Sequence, residues 1–200
     1  LSEYTGIDFE KKVALMTYHP VTLDHYSSSE QQVEEVLKAL LDTDLVVIMT
    51  MPNSDTSGRM IYRIIESYIH QYPEKFKLIK NLGQRGYLSV MKYAQLMVGN
   101  SSSGIIESAS FRLPVVNVGD RQDGRFKPIN IIDCICSQEE IKKAIRHSLS
   151  DKFKKFIADL DSPYGDGNTS MRIIKILESL DYNDKTKFIK KGFYDLKHDL

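Results

Sequence analysis

Apolar residues along this chain fall into short unbroken runs separated by stretches with helical spacing, and the two kinds of segment alternate. Residues 13–18 (Val-Ala-Leu-Met-Thr-Tyr) and 45–51 (Leu-Val-Val-Ile-Met-Thr-Met) read as strands covered on both faces, as in a parallel sheet. Between them Val33, Val36, Leu37, Leu40 and Leu41 form a helical stripe, and Ser28 and Ser29 with Gln31 and Gln32 three residues on have capping-box spacing. Met60, Ile61, Ile64, Ile65, Tyr68 and Ile69 repeat the stripe up to Tyr72-Pro73. The spacing then predicts strands over 76–79, 96–98, 115–118 and 129–136. It predicts helices over 87–94 and 104–111, and a last one capped by Ser137 with Glu140 and reaching about Leu149.

Such regular alternation with short loops predicts an α/β domain with a doubly wound parallel sheet, covering residues 1 to about 160. Ligands of these sheets sit beyond the carboxyl ends of the strands, so function belongs in the loops that carry His19, Asn53, 81–86, 100–104 and 119–125. A turn-rich break, Pro163-Tyr-Gly-Asp-Gly-Asn168, precedes a further helix with Met171, Ile173, Ile174, Ile176 and Leu177.

Composition narrows the functional classes. The 27 Lys and Arg balance 27 Asp and Glu, which argues against a broadly basic surface for nucleic acid or an anionic membrane. The longest apolar run, 45–51, is strand-sized and far short of the roughly 18–20 residues of a membrane span. The chain starts at Leu1 with no signal-peptide pattern, so a fragment or a processed chain is expected. Its two cysteines, Cys134 and Cys136, are expected on one side of a strand as buried small residues, too close to bridge easily, which suits a reducing cytoplasm. No His, Cys and carboxylate spacing reads as a metal site.

The sharpest chemical feature is Val98-Gly-Asn-Ser-Ser-Ser-Gly104, where a strand end passes through hydroxyl residues into a helix. Free backbone N–H groups and serine hydroxyls there suit a phosphate, and a serine-rich N-cap is the plainer alternative. It is neither a Walker loop nor a Gly-x-Gly-x-x-Gly fingerprint. Glu107, expected on the first turn of that helix, can accept from both hydroxyls of a ribose or simply favour the helix start. Arg121 and Arg125, in the glycine-flanked loop 119–125, can neutralise a diphosphate or remain solvated. His19, at the end of the first strand, can donate to a phosphate or move a proton near neutral pH. Asn53, Asp55 and Arg59 read first as helix-capping residues.

Two stretches, Gly99-Asn-Ser-Ser-Ser-Gly-Ile-Ile-Glu-Ser108 and Arg112-Leu-Pro-Val-Val-Asn-Val-Gly-Asp-Arg-Gln-Asp-Gly-Arg125, resemble the hydrolysing UDP-N-acetylglucosamine 2-epimerases of sialic-acid and related bacterial sugar pathways. The likeness extends from His19-Pro20 through Met51-Pro-Asn53 to Ser162-Pro-Tyr-Gly-Asp-Gly-Asn168 and matches the carboxyl-terminal half of that family. It implies a Rossmann-like domain, the C-terminal half of a two-domain GT-B fold, with residues 1–180 binding UDP and 181–200 forming a helix that crosses to an N-terminal catalytic domain. By position it implies diphosphate contacts from Ser101 and Ser102, ribose contact from Glu107 and a nucleotide-site arginine in Arg121. It further implies a uracil-contacting segment near Leu82, further UDP-site positions at Asn53 and Arg59, and His19 beside the leaving phosphate.

The chemistry so implied is elimination of UDP to a 2-acetamidoglucal and hydration to N-acetylmannosamine, without a cofactor. The acid/base carboxylates are then expected in the N-terminal domain, and the parent is expected to be homo-oligomeric. The same placement of nucleotide and fold leaves two alternatives, the donor-binding half of a GT-B glycosyltransferase and a non-catalytic nucleotide-sugar-binding module. The exact sugar, N-acetylglucosamine or a diacetamido relative such as diacetylbacillosamine, stays open.

Overall fold

A computed structural model describes residues 1–21, 28–52 and 58–183. They fall into two compact units, one of Leu1–Tyr164 and a second that starts at Gly165. The first is built on six parallel strands: β1 (Val13–Thr17), β2 (Val46–Thr50), β3 (Phe76–Ile79), β4 (Leu96–Gly99), β5 (Val115–Val118) and β6 (Ile131–Cys134). They lie in the order β3-β2-β1-β4-β5-β6. The chain therefore works outward from β1 in one direction and returns to its other side at β4, which makes the gap between β1 and β4 the topological switch point, as in dinucleotide-binding sheets.

Side chains on each strand alternate between two apolar layers. Ala14, Met16, Val47, Met49, Val98 and Val116 pack with Val33, Leu37, Ile61 and Ile145, whereas Val13, Leu15, Ile48, Met97 and Val115 pack with Leu82, Val90 and Met91. The first layer is covered by α2 (Ser29–Leu41), α3 (Gly58–Gln71) and α6 (Gln138–Ser148), and the second by α4 (Gly83–Tyr93) and the short α5 (Ser102–Ile106). A brief α1 (Ser2–Thr5) precedes β1, and α7 (Asp151–Phe156) follows α6.

Local signals explain the starts. Ser28 and Gln31 form the capping box of α2, and the Ser137 hydroxyl accepts from the Glu140 N–H at the start of α6. The structure also departs from the expected pattern. α4 starts a turn earlier than 87, because residues 83–86 are polar and leave no apolar period to read. The expected helix 104–111 is two pieces, α5 and a 3-10 turn Ser108–Phe111, so Glu107 caps the end of α5 and does not lie on the first turn of a long helix. Strand β6 stops at Cys134, which puts Cys136 beyond it. Neither cysteine is in a disulfide, both are only half-buried, and burial pushes the Cys134 thiol up to about 12.

The second unit contains α8 (Thr169–Glu178), whose Met171, Ile173, Ile174, Ile176 and Leu177 are all exposed, and the pair Arg172–Asp166 ties its first turns to the preceding loop. The helix expected over 181–200 lies outside the described residues from 184 on. Among the described residues no helix is long and apolar enough to cross a membrane.

Candidate functional site

The polar loops after β1 and β4 meet at the switch point. Gly99 ends β4 with φ 142, and a Cβ there would lie 2.0 Å from the Thr17 carbonyl oxygen, so only glycine lets the two strand ends come this close. The following residue, Asn100, is fully buried and clamps the other loop: its Oδ1 accepts from the His19 N–H at 2.7 Å and its Nδ2 donates to the His19 carbonyl at 2.8 Å. His19 is thereby held by its backbone beside the serine loop.

Ser101 is the N-cap of α5, its hydroxyl accepting from the Ser103 N–H, and half-buried Ser102 is the first helical residue. Two residues of the loop after β5 hold this segment from the far side. The Arg121 guanidinium donates to the Asn100 carbonyl at 3.0 Å, and the buried Gln122 donates to the same oxygen at 2.8 Å. Arg121 itself is exposed, and its bond to the Asn100 carbonyl ties its guanidinium to the residue before Ser101. Arg125 is also exposed and contacts its own loop through its backbone N–H to Gln122.

Behind the serines lies a cavity of about 440 Å³ between the ends of β2 and β3, the start of α4 and Glu107; Thr50, Asn81, Leu82, Tyr87 and Leu88 are in its wall. One carboxylate oxygen of Glu107, Oε2, is buried with no hydrogen-bond partner, and burial raises its pKa. A cavity-wall carboxylate with one oxygen left without a donor is suited to a ligand that brings one. The turn that presents it is pinned by Asn130, which is buried and donates to the Ser108 hydroxyl and the Leu113 carbonyl, while Ser108 donates to the Gly104 carbonyl.

The structure thus brings together His19, Ser101, Ser102 and Arg121 at the switch point, and Leu82 and Glu107 across the adjoining cavity. Arg59 is the second residue of α3 and exposed, and no described contact ties it to the serine loop. Asn53 lies outside the described residues. Tyr87, Asn100, Gln122 and Asn130 carry the architecture of the site without having announced it in the sequence; only the polar Asn100 inside the apolar-to-serine transition gave a local signal. Tyr87 is held between Ser103 and Thr17, and burial raises its phenol pKa, which keeps its proton in place.

Residues 2–178 match the family model described as UDP-N-acetylglucosamine 2-epimerase. A UDP-N,N'-diacetylbacillosamine 2-epimerase (hydrolyzing) of Legionella pneumophila is 39% identical over 175 residues, covering 88% of this chain and 45% of that protein. A GDP/UDP-N,N'-diacetylbacillosamine 2-epimerase (hydrolyzing) of Campylobacter jejuni is 42% identical over 135 residues, covering 66% of this chain and 35% of that protein. Among solved structures, UDP-GlcNAc 2-epimerase from Neisseria meningitidis bound to UDP-GlcNAc shares the fold with a TM-score of 0.70 at 17% identity, covering 88% of this chain and 47% of that one. The chain spans less than half the length of these relatives, and the GT-B likeness is to their corresponding half. On the match of its sequence over residues 2–178, the chain belongs to the UDP-N-acetylglucosamine 2-epimerase family.

Proposed function

We propose that this chain is the UDP-binding half of a hydrolysing UDP-sugar 2-epimerase. The observation that carries the reading is Glu107: a carboxylate with a buried, partnerless oxygen in the wall of a cavity that Leu82 also lines, one short helix away from Ser101. A nucleoside diphosphate satisfies the whole arrangement. Its ribose hydroxyls donate to Glu107, its base enters the cavity at Leu82, and its diphosphate lies over Ser101 and Ser102 toward Arg121 and His19.

In such a reaction the bond from the sugar C1 to the diphosphate oxygen breaks, and negative charge grows on the departing UDP. The Ser101 and Ser102 hydroxyls and the Arg121 guanidinium are fixed donors for that charge, and His19 stands where it can hold a proton against the leaving phosphate. The carboxylates that remove and deliver protons at C2 belong, on the family resemblance, to a second domain. The substrate class is a UDP-linked 2-acetamido sugar, and the relatives from Legionella and Campylobacter favour a 2,4-diacetamido member. We place the protein in the cytoplasm, in a sialic-acid-type pathway, as part of a homo-oligomer.

Incubation of the intact protein with UDP-N-acetylglucosamine and with its diacetamido counterpart tests this. Release of UDP together with a free 2-epimerised sugar is expected, whereas transfer of the sugar to an acceptor assigns the fold to a glycosyltransferase.

A further inference from the structure

Beneath the serine loop runs a chain of five hydroxyl groups that spans four elements of the sheet and its helices. Thr50 Oγ1, at the end of β2, lies 2.9 Å from Thr17 Oγ1, at the end of β1. Thr17 Oγ1 lies 3.2 Å from the Tyr87 hydroxyl on α4, which lies 2.6 Å from Ser103 Oγ on α5. Ser103 Oγ lies 3.0 Å from Ser101 Oγ.

Four links among five hydroxyls use four of their five hydrogens, so the direction of donation decides at which end the fifth emerges. Two features set that direction. A phenol gives up its hydrogen far more readily than an aliphatic alcohol, so in the shortest link Tyr87 donates and Ser103 accepts. Ser103 then donates to Ser101, whose oxygen also accepts from the Ser103 N–H, filling both of its acceptor positions. The Ser101 hydrogen is left for an acceptor outside the chain, and Arg121 brings positive charge to the preceding residue of the loop, Asn100.

We infer that the Tyr87 hydroxyl is a positioning residue for the anionic part of the ligand: acting through Ser103, it makes Ser101 a donor aimed at the diphosphate. An anionic acceptor on Ser101 strengthens every link behind it, so the chain is tightest when a phosphate is bound. This rests on the UDP-binding reading above, and separates two roles within it, because the hydroxyl serves the phosphate while the Tyr87 ring serves the cavity.

The test is the affinity of the protein for UDP and for uridine, measured by calorimetry for the unmodified chain, Tyr87→Phe and Ser103→Ala, at ligand concentrations reaching millimolar. Tyr87→Phe keeps the ring, and Ser103→Ala breaks the same chain from α5 if the first variant fails to fold. Each is expected to weaken UDP about tenfold and to leave uridine within about twofold, so that the preference for UDP over uridine collapses. Equal weakening of both ligands, or a UDP affinity unchanged in either folded variant, overturns the positioning role while leaving the UDP site intact. An unmodified chain that binds neither ligand overturns the functional reading itself.

Discussion

Asn100 grips the backbone of His19 through both its N–H and its carbonyl, across the gap where the sheet reverses its order. The two residues are 81 positions apart, and one planar amide matches the donor and acceptor of a single peptide-bonded residue as a neighbouring strand would. The clamp carries the first strand's loop to the serine loop, and Arg121 and Gln122 close on the Asn100 carbonyl from the opposite side.

Asn100→Ala removes both clamp bonds from a fully buried position. The expected loss is about 1–3 kcal/mol in unfolding stability, with a further loss of UDP affinity because His19 is no longer held. Urea unfolding and a UDP titration of the same preparation check the two effects.

Gly99→Ala should be the more damaging change. Its Cβ would sit 2.0 Å from backbone, the Thr17 carbonyl oxygen, which no rotamer can relieve, and φ 142 is unfavourable for any residue with a side chain. A cost of more than about 3 kcal/mol is expected, and an alanine variant as stable as the unmodified protein would show that the two strand ends are not in contact.

Glu107 links binding to stability in opposite senses. Its pKa is raised by burial, so the folded state binds its proton more tightly than the unfolded state. Its contribution is therefore neutral while both states are protonated. It becomes a cost as pH climbs through the ordinary carboxylate range to the raised folded value, and stays a cost above it. Glu107→Gln should stabilise the ligand-free protein near pH 7, lose that advantage below about pH 4, and bind UDP more weakly throughout. Unfolding curves across that pH range read the first two effects.

Arg121→Ala concerns an exposed side chain, so stability should change little. In the proposed site its guanidinium meets the diphosphate, so UDP affinity is expected to fall about tenfold at low salt, equivalent to about 1.4 kcal/mol, with uridine unaffected. The difference between unmodified and variant protein should shrink as ionic strength rises, because an exposed charge is screened.

Strands such as Phe76–Ile79 and Val115–Val118 were legible to the residue, since each is a mainly apolar stretch of four, too short for a helix. The alternation of elements put His19, Ser101 and Arg121 in loops at the carboxyl ends of strands, whereas the pair of strands that flanks the switch point is set by the sheet order. What the pattern hid was of two kinds. Helix starts without apolar residues, as at 83–86, and helices as short as α5 leave no period to detect. Side chains that fold back on distant groups, such as Gln122 and Asn130, have no local signature, because their partners are set by the sheet order. Glu107 was found as a residue but misplaced on its helix, and its buried oxygen became visible only once the cavity formed.

Binding of UDP at Glu107 is the central element of the proposed function. Calorimetric titration of the 200-residue chain with UDP should give a saturable one-to-one heat, and Glu107→Ala should weaken it by about tenfold or more. No heat at millimolar UDP, or an alanine variant that binds as tightly as the unmodified chain, would contradict it.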